Sequence, residues 1–243
     1  MGFSIKEAAS LGIIGGADGP TAIYTTIMLA PHLLGPIAIA AYSYMALVPV
    51  IIPLVAKLLM NKNEFTISMK EMDKKYPPKH QVKNLKTVKI IFPIALGTVI
   101  AILVPSSVPL LGMLLFGNLV KEIGTSTSRL ADAATGPVGA TMTSDVFLTP
   151  KTLGIIVGGF IAFAISISGG ILAVKTYNIF SKKKINPLVG ATGLSAVPMA
   201  SRVANELALK YDPKNHILQY CMASNISGVI GSAVAAGVLI SLV

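Results

Sequence analysis

The chain has 243 residues, 53% of them hydrophobic and only 12% charged, with a mean hydropathy of +0.73. A soluble domain carries about a quarter charged residues, so this balance excludes an ordinary cytosolic globular protein. The charge is lopsided, with Lys+Arg 20 against Asp+Glu 10. The basic residues sit in short clusters between apolar runs, which points to cytoplasmic membrane loops and away from nucleic acid. With Trp absent there is also little aromatic surface for stacking bases. The single Cys221 supports neither an intrachain disulfide nor a zinc site, and the opening MGFSIKEAAS lacks the pattern of a secretory signal.

A membrane helix needs about 20 mostly apolar residues. The first candidate is unusual. Residues 10–31 are about one membrane thickness long, but Gly15, Gly16, Gly19 and Pro20 interrupt their middle. Pro20 suits the first turn of a new helix, so residues 15–19 read as an unwound link between two half-helices, with Asp18 on the link. Asp18 is then either the cap of the helix beginning at Pro20 or, because a carboxylate within hydrocarbon needs a partner, an ion-linked group.

Residues 33–59 read as a full span whose prolines neighbouring helices can accommodate. Residues 61–89 are strongly basic and broken by Pro77-Pro78, and they read as a solvated cytoplasmic loop of partly helical character. Residues 90–104 and 110–120 are apolar, the second a candidate re-entrant piece, and residues 121–145 are too polar to span. Residues 153–174 form the clearest full-length helix and run into the basic cluster Lys182-Lys183-Lys184, which places both basic segments on one side. A last span covers residues 218–243, interrupted by Asn225 and Ser227.

Residues 186–206 repeat the grammar of the first broken segment, with Gly190, Gly193 and Pro198 as interruptions. Two such segments in corresponding halves suggest an internal repeat of the kind that builds ion sites from broken helices. Asp, Asn and Ser oxygens with freed carbonyls suit a small hard cation such as sodium. Ser195 and Arg202 share a helix face if the helix continues past Pro198. Arg202 either snorkels to the interface or binds an anionic group, and Tyr44 reads most simply as a packed aromatic. The organisation is one all-α, polytopic membrane domain: a broken hairpin and helix in 1–60, the basic loop 61–89, membrane helices in 90–184, and a second broken hairpin and helix in 185–243.

The strings GGADGPTAIYTT, AAYSYMALVP, INPLVGATGLSAVPMASRVAN and SNISGVIGSAVAAGVL, in that order, closely resemble the beta subunit of the biotin-dependent sodium-translocating decarboxylases of oxaloacetate, methylmalonyl-CoA, glutaconyl-CoA or malonate. The resemblance implies an elevator-type carrier with inverted repeats in the cell's inner membrane. It would couple decarboxylation of carboxybiotin to outward sodium transport and consume a proton. It also implies an oligomeric complex with an alpha subunit, carrying carboxyltransferase and biotin, and a small gamma or delta membrane subunit. The family's sodium residues fall on Asp18, Asn186, Gly190 and Ser195. Tyr44 falls on a residue implicated in proton and sodium movement, and Arg202 on the residue expected to meet carboxybiotin. Asp18, Tyr44, Ser195 and Arg202 are therefore the expected catalytic set.

The sequence departs from the family pattern in two places. Further helices usually precede the GGADGP hairpin, whereas this sequence starts almost at it. Another apolar run usually separates the motifs that correspond to Arg129-Leu130-Ala131-Asp132 and Val138-Gly139-Ala140, here joined by AATGP. A carboxylate transporter with related hairpins and an inactive, shortened membrane remnant are the alternative readings.

Overall fold

Helix α1 (Ile5–Gly12) begins where Ser4 and Glu7 satisfy each other. The Glu7 N–H donates to Ser4 Oγ at 3.3 Å, and the Ser4 N–H donates to Glu7 Oε2 at 2.8 Å. At Ile13–Gly16 the helix tightens into a 3-10 turn that ends on Ala17 in the left-handed region, with φ 52° and ψ 37°. Ala17 is the one non-glycine residue with positive φ among the described residues, a conformation that stores roughly 1–3 kcal/mol. The chain then extends through Asp18 and enters α2 (Gly19–Leu29), with Pro20 in the first turn. The break expected over residues 15–19 is thus a compact turn centred one or two residues earlier, closed by the Ala17 N–H on the Ile14 carbonyl at 2.9 Å. The computed structural model describes residues 2–77, 84–112, 114, 115, 150–196 and 198–243. Most of the expected re-entrant piece 110–120 and all of the polar stretch 121–145 lie outside them.

After a 3-10 turn at Pro31–Leu33, α3 (Leu34–Leu59) runs as one helix through Pro49 and Pro53. The short helices α4 (Lys62–Phe65) and α5 (Met69–Lys75) follow, and then α6 (Leu85–Leu103) and the turn Pro105–Ser107. The longest helix among the described residues is α7 (Pro150–Phe180). A second broken segment consists of α8 (Pro187–Ala191), a non-helical link, and α9 (Met199–Tyr211); α10 (Leu218–Leu242) closes the described chain. Among the described residues every regular element is helical, and three segments are long and apolar enough to cross a membrane: Pro31–Leu59, Pro150–Phe180 and Leu218–Leu242. Helix α6 contributes a shorter apolar stretch, Thr87–Leu103.

Helix α7 packs along α3 and α8. Its Phe163, Ile167 and Ile171 recur at helical spacing on one face and are completely buried, as are Val48 and Ile52 of α3. The opposite faces expose Val50, Leu54 and Leu58 on α3 and Val157, Ile161 and Ile165 on α7, a distribution suited to lipid. Glycine lets two backbones meet at one crossing: a Cβ on Gly190 would lie 2.1 Å from the Gly170 carbonyl oxygen, and the reverse substitution gives the same distance.

Residues 61–76 are not a loop free in solvent. They fold back as a cap on the helix ends, because Phe65 and Met69 are buried and the Phe65 ring stacks on Tyr211 at 4.2 Å and 11°. Lys175 Nζ donates to the Leu59 carbonyl at 2.7 Å and to Glu64 Oε2 at 3.2 Å, which ties the end of α3 and the cap to α7. Lys183 Nζ donates to Asp73 Oδ1 at 2.6 Å, and Tyr220 Oη donates to Asp73 Oδ2 at 2.5 Å. Two lysines from outside the cap, Lys175 and Lys183, are therefore engaged in holding it.

Candidate functional site

The left-handed turn at Ala17 aims Asp18 into the interior, where it is 8% exposed. Its two carboxylate oxygens have different tasks. Oδ1 accepts the Thr21 N–H at 3.1 Å and caps α2. Oδ2 accepts two hydroxyls from elsewhere in the chain, Ser195 Oγ at 2.9 Å and Ser232 Oγ at 2.8 Å. The alternatives posed by the sequence, cap or ion-linked group, are thus compatible, because one oxygen serves the helix and the other faces the two serines.

Ser195 reaches Asp18 from the link between α8 and α9. Its N–H donates to the Gly16 carbonyl at 2.8 Å, so the two broken segments meet through both backbone and side chain. Ser232 comes from α10. About two turns earlier on the same face, Asn225 is fully buried and donates through Nδ2 to the Thr192 carbonyl at 3.1 Å and to the Leu194 carbonyl, fixing the link that carries Ser195. Among the described residues Asn225 Oδ1 has no hydrogen-bond partner, a costly condition for a buried oxygen and a lone pair available to a cation. Beside the cluster lies a cavity of about 470 Å³ lined mostly by small residues, including Gly16, Gly193, Ser227, Gly228 and Ser232, with Ile13, Ile165, Leu194 and Leu239 completing its wall.

The other expected site residues lie elsewhere. Asn186 is fully buried and engaged at the cap: Oδ1 accepts the Leu188 N–H at 3.0 Å, and Nδ2 donates to the carbonyls of Phe65 at 3.0 Å and Ile67 at 3.1 Å. Gly190 meets Gly170, and its carbonyl accepts the Gly193 N–H at 2.9 Å. Tyr44 is buried at the α3–α7 contact, donating to the Ile156 carbonyl and lying edge-on to Phe160. Arg202 does not share a helix face with Ser195, because α9 starts only after Pro198 and Ser195 lies on the non-helical link. Its side chain is exposed, with no hydrogen bond or ion pair among the described residues.

Sequence reasoning missed Ser232 and gave Asn225 no role. The available signal was Asn225 and Ser232 one heptad apart on one face of the largely apolar α10, a spacing not singled out from the other polar residues of that helix, Gln219, Ser224, Ser227 and Ser241.

The family described as Na+-transporting oxaloacetate decarboxylase beta subunit matches residues 1–243. The probable oxaloacetate decarboxylase beta chain of Vibrio cholerae serotype O1 is 48% identical over 255 residues, an alignment covering 100% of this chain and 57% of that protein. The oxaloacetate decarboxylase beta chain of Klebsiella pneumoniae is 47% identical, with the same coverage. The methylmalonyl-CoA decarboxylase subunit beta of Propionigenium modestum is 47% identical, covering 99% of this chain and 61% of that one. The chain thus spans a little over half the length of these relatives. Matched along its whole length and at nearly half of its residues, the chain belongs to the family of Na+-transporting oxaloacetate decarboxylase beta subunits.

Proposed function

We propose that this chain supplies the ion-carrying membrane part of a sodium-pumping decarboxylase, in which decarboxylation of carboxybiotin on a partner subunit drives sodium outward. The observation that carries the reading is the buried Asp18 carboxylate, whose Oδ2 gathers hydroxyls from the second broken segment and from α10. Each hydroxyl is a donor to the carboxylate and can rotate to turn a lone pair toward a cation. Asp18 Oδ2, Ser195 Oγ and Ser232 Oγ then replace part of sodium's water shell, with Asn225 Oδ1, unpartnered among the described residues, a further oxygen close to the link. When Asp18 is protonated, its charge is gone and its hydroxyl donates to a serine instead. The site therefore takes a sodium ion or a proton but not both, and this exclusion couples proton consumption to sodium release.

The meeting of two broken segments at Gly16 and Ser195 supports an inverted-repeat, elevator-type carrier in a multi-pass protein of the inner membrane. Arg202, exposed near the start of α9, offers its guanidinium to the carboxylate of incoming carboxybiotin. Tyr44, buried at the α3–α7 contact, takes part in proton and sodium movement. Biotin and the carboxyltransferase belong to an alpha subunit, and a small gamma or delta subunit completes the membrane complex.

The test reconstitutes the chain with its carboxyltransferase and biotin-carrier partners in liposomes, comparing wild type with Asp18→Asn. Sodium-stimulated decarboxylation and radioactive sodium uptake are expected in the wild type and lost in the variant. Equal uptake by both would reject Asp18 as the carrier group.

A further inference from the structure

The cap and the second broken segment share one unusual junction. Asn186 Nδ2 donates to the carbonyls of Phe65 at 3.0 Å and Ile67 at 3.1 Å, and Asn215 Nδ2 donates to the same two carbonyls at 3.0 and 3.2 Å. A carboxamide has two N–H donors, and a carbonyl oxygen has two lone pairs. Four donors therefore meet four lone pairs, and the two carbonyls are saturated, while Asn215 Oδ1 on the far side of its amide has no partner among the described residues. Both asparagines are buried, at 0% and 1% exposure, so no water replaces a lost donor without opening the structure.

The junction leads to the ion site by a short covalent route. Asn186 Oδ1 caps Leu188 at the start of α8, and α8 leads into the link where the Ser195 N–H meets Gly16 and Ser195 Oγ meets Asp18. Asn215 lies in the turn between α9 and α10, at the other end of the second broken segment. The same turn is held by Asn205, whose Oδ1 accepts the N–H groups of Ile217 and Leu218 at 2.9 and 3.0 Å. One pair of cap carbonyls thus fixes both ends of the segment that carries Ser195.

We propose that Asn215 is a positioning residue of the ion site, acting with Asn186 through the Phe65 and Ile67 carbonyls to hold the Ser195 link against Asp18. This rests on the sodium-site reading above for its functional consequence, but the clamp itself is a statement about the cap. It requires donors from residue 215, not merely a side chain of that size. Asparagine and aspartate have nearly the same shape, and aspartate sets a carboxylate against two carbonyls.

The experiment uses the assembled complex in detergent and compares wild type, Asn215→Asp, Asn215→Gln and Asp18→Asn by two readouts: hydrogen exchange in peptides covering residues 61–76 and 186–196, and equilibrium binding of radioactive sodium. In Asn215→Asp, both peptides are expected to exchange faster, and the sodium concentration for half-saturation to rise about five- to tenfold with the number of sites unchanged, the scale of one lost buried hydrogen-bond pair. Asn215→Gln, which keeps both donors, is expected to recover much of the protection and affinity. In Asp18→Asn, sodium binding is expected to fall with the cap peptide unaffected. Unchanged exchange in Asn215→Asp overturns the clamp. Faster exchange with unaltered sodium affinity overturns the positioning role while leaving the cap contact intact. Wild type without saturable sodium binding overturns the sodium-site reading and the positioning role with it, and the exchange data then judge the clamp alone.

Discussion

Ser195 donates its hydroxyl to Asp18 across a sequence separation of 177 residues, and its backbone N–H is bonded to Gly16, two residues before that aspartate. A side-chain contact alone can form by chance between flexible groups, but the added backbone bond fixes the direction of approach. The consequence is separable chemistry at Asp18. Asp18→Asn keeps an oxygen to cap Thr21 and loses the charge; Asp18→Ala loses both. Thermal unfolding of the purified chain with and without sodium should show a sodium-dependent rise in Tm for wild type and none for either variant. Asp18→Ala should also be less stable than Asp18→Asn by about 1 kcal/mol, the value of an N-cap.

Gly190 is expected from the family resemblance to belong to the sodium set, yet its Cα faces the Gly170 backbone at a helix crossing. A packing role and a ligand role make different demands. Because each added Cβ meets the opposite carbonyl at 2.1 Å, Gly170→Ala and Gly190→Ala should be equally disruptive. Each should destabilise the chain by at least about 1–3 kcal/mol, the usual penalty for overpacking. Any loss of sodium affinity in the residual folded protein should be the same in both variants, because either Cβ displaces α8 and the link it leads into. A selective loss of affinity in Gly190→Ala, absent from Gly170→Ala, would show that the Gly190 backbone has a second function.

The long apolar helices were legible because length and composition alone carry that signal: residues 33–59, 153–174 and 218–243 correspond to α3, α7 and α10. The two broken segments were legible from Gly and Pro punctuation, and Asp18 from its isolation in an apolar run. What the sequence did not disclose was partnership. The pairing of Ser232 with Asp18 depends on how α10 lies against the first hairpin, which no local pattern encodes. The cap was hidden for a different reason. Its lysines resemble a solvated loop, while the buried Phe65 and the asparagines that clamp its backbone lie far apart in the chain. The condition under which Ser195 and Arg202 would share a helix face, a helix continuous through Pro198, is not met because the helix starts only at Met199.

Tyr44 combines a donor bond to the Ile156 carbonyl with close ring packing, since a Cβ on Gly159 would lie 2.7 Å from its ring. Tyr44→Phe removes the hydroxyl and leaves that packing in place. The carbonyl belongs to α7, so the stability lost should be modest, about 1 kcal/mol. If Tyr44 takes part in proton movement as proposed, turnover of the reconstituted complex should fall by far more than that, about a hundredfold, which corresponds to the low end of the effect of a positioned acid–base group. Comparing Tm with sodium-coupled turnover in the same preparation separates the two effects. A loss of turnover no larger than the loss of folded protein would confine Tyr44 to packing.

Asp73 makes the cap sensitive to acid. The Lys183 ammonium, 2.6 Å from Oδ1, and then the Tyr220 hydroxyl on Oδ2 hold its carboxyl below the usual carboxylate range. A group whose pKa is depressed by folding stabilises the folded state above its unfolded value, near pH 4 for aspartate, and this contribution is lost as pH falls through the folded value. Asp73→Asn removes the charge at every pH. The Tm difference between wild type and Asp73→Asn should therefore be present at about pH 6 to 7 and shrink as the solution is acidified below about pH 4, where the Asp73 carboxyl of the unfolded chain begins to protonate while that of the folded chain is still ionised. Glu7 is held low in the same direction by Lys151 and His32, so wild type and variant share that second acid-sensitive contact and it cancels from the comparison. A Tm difference that stays constant from neutral to strongly acidic pH would mean that the Asp73 charge contributes nothing to holding the cap.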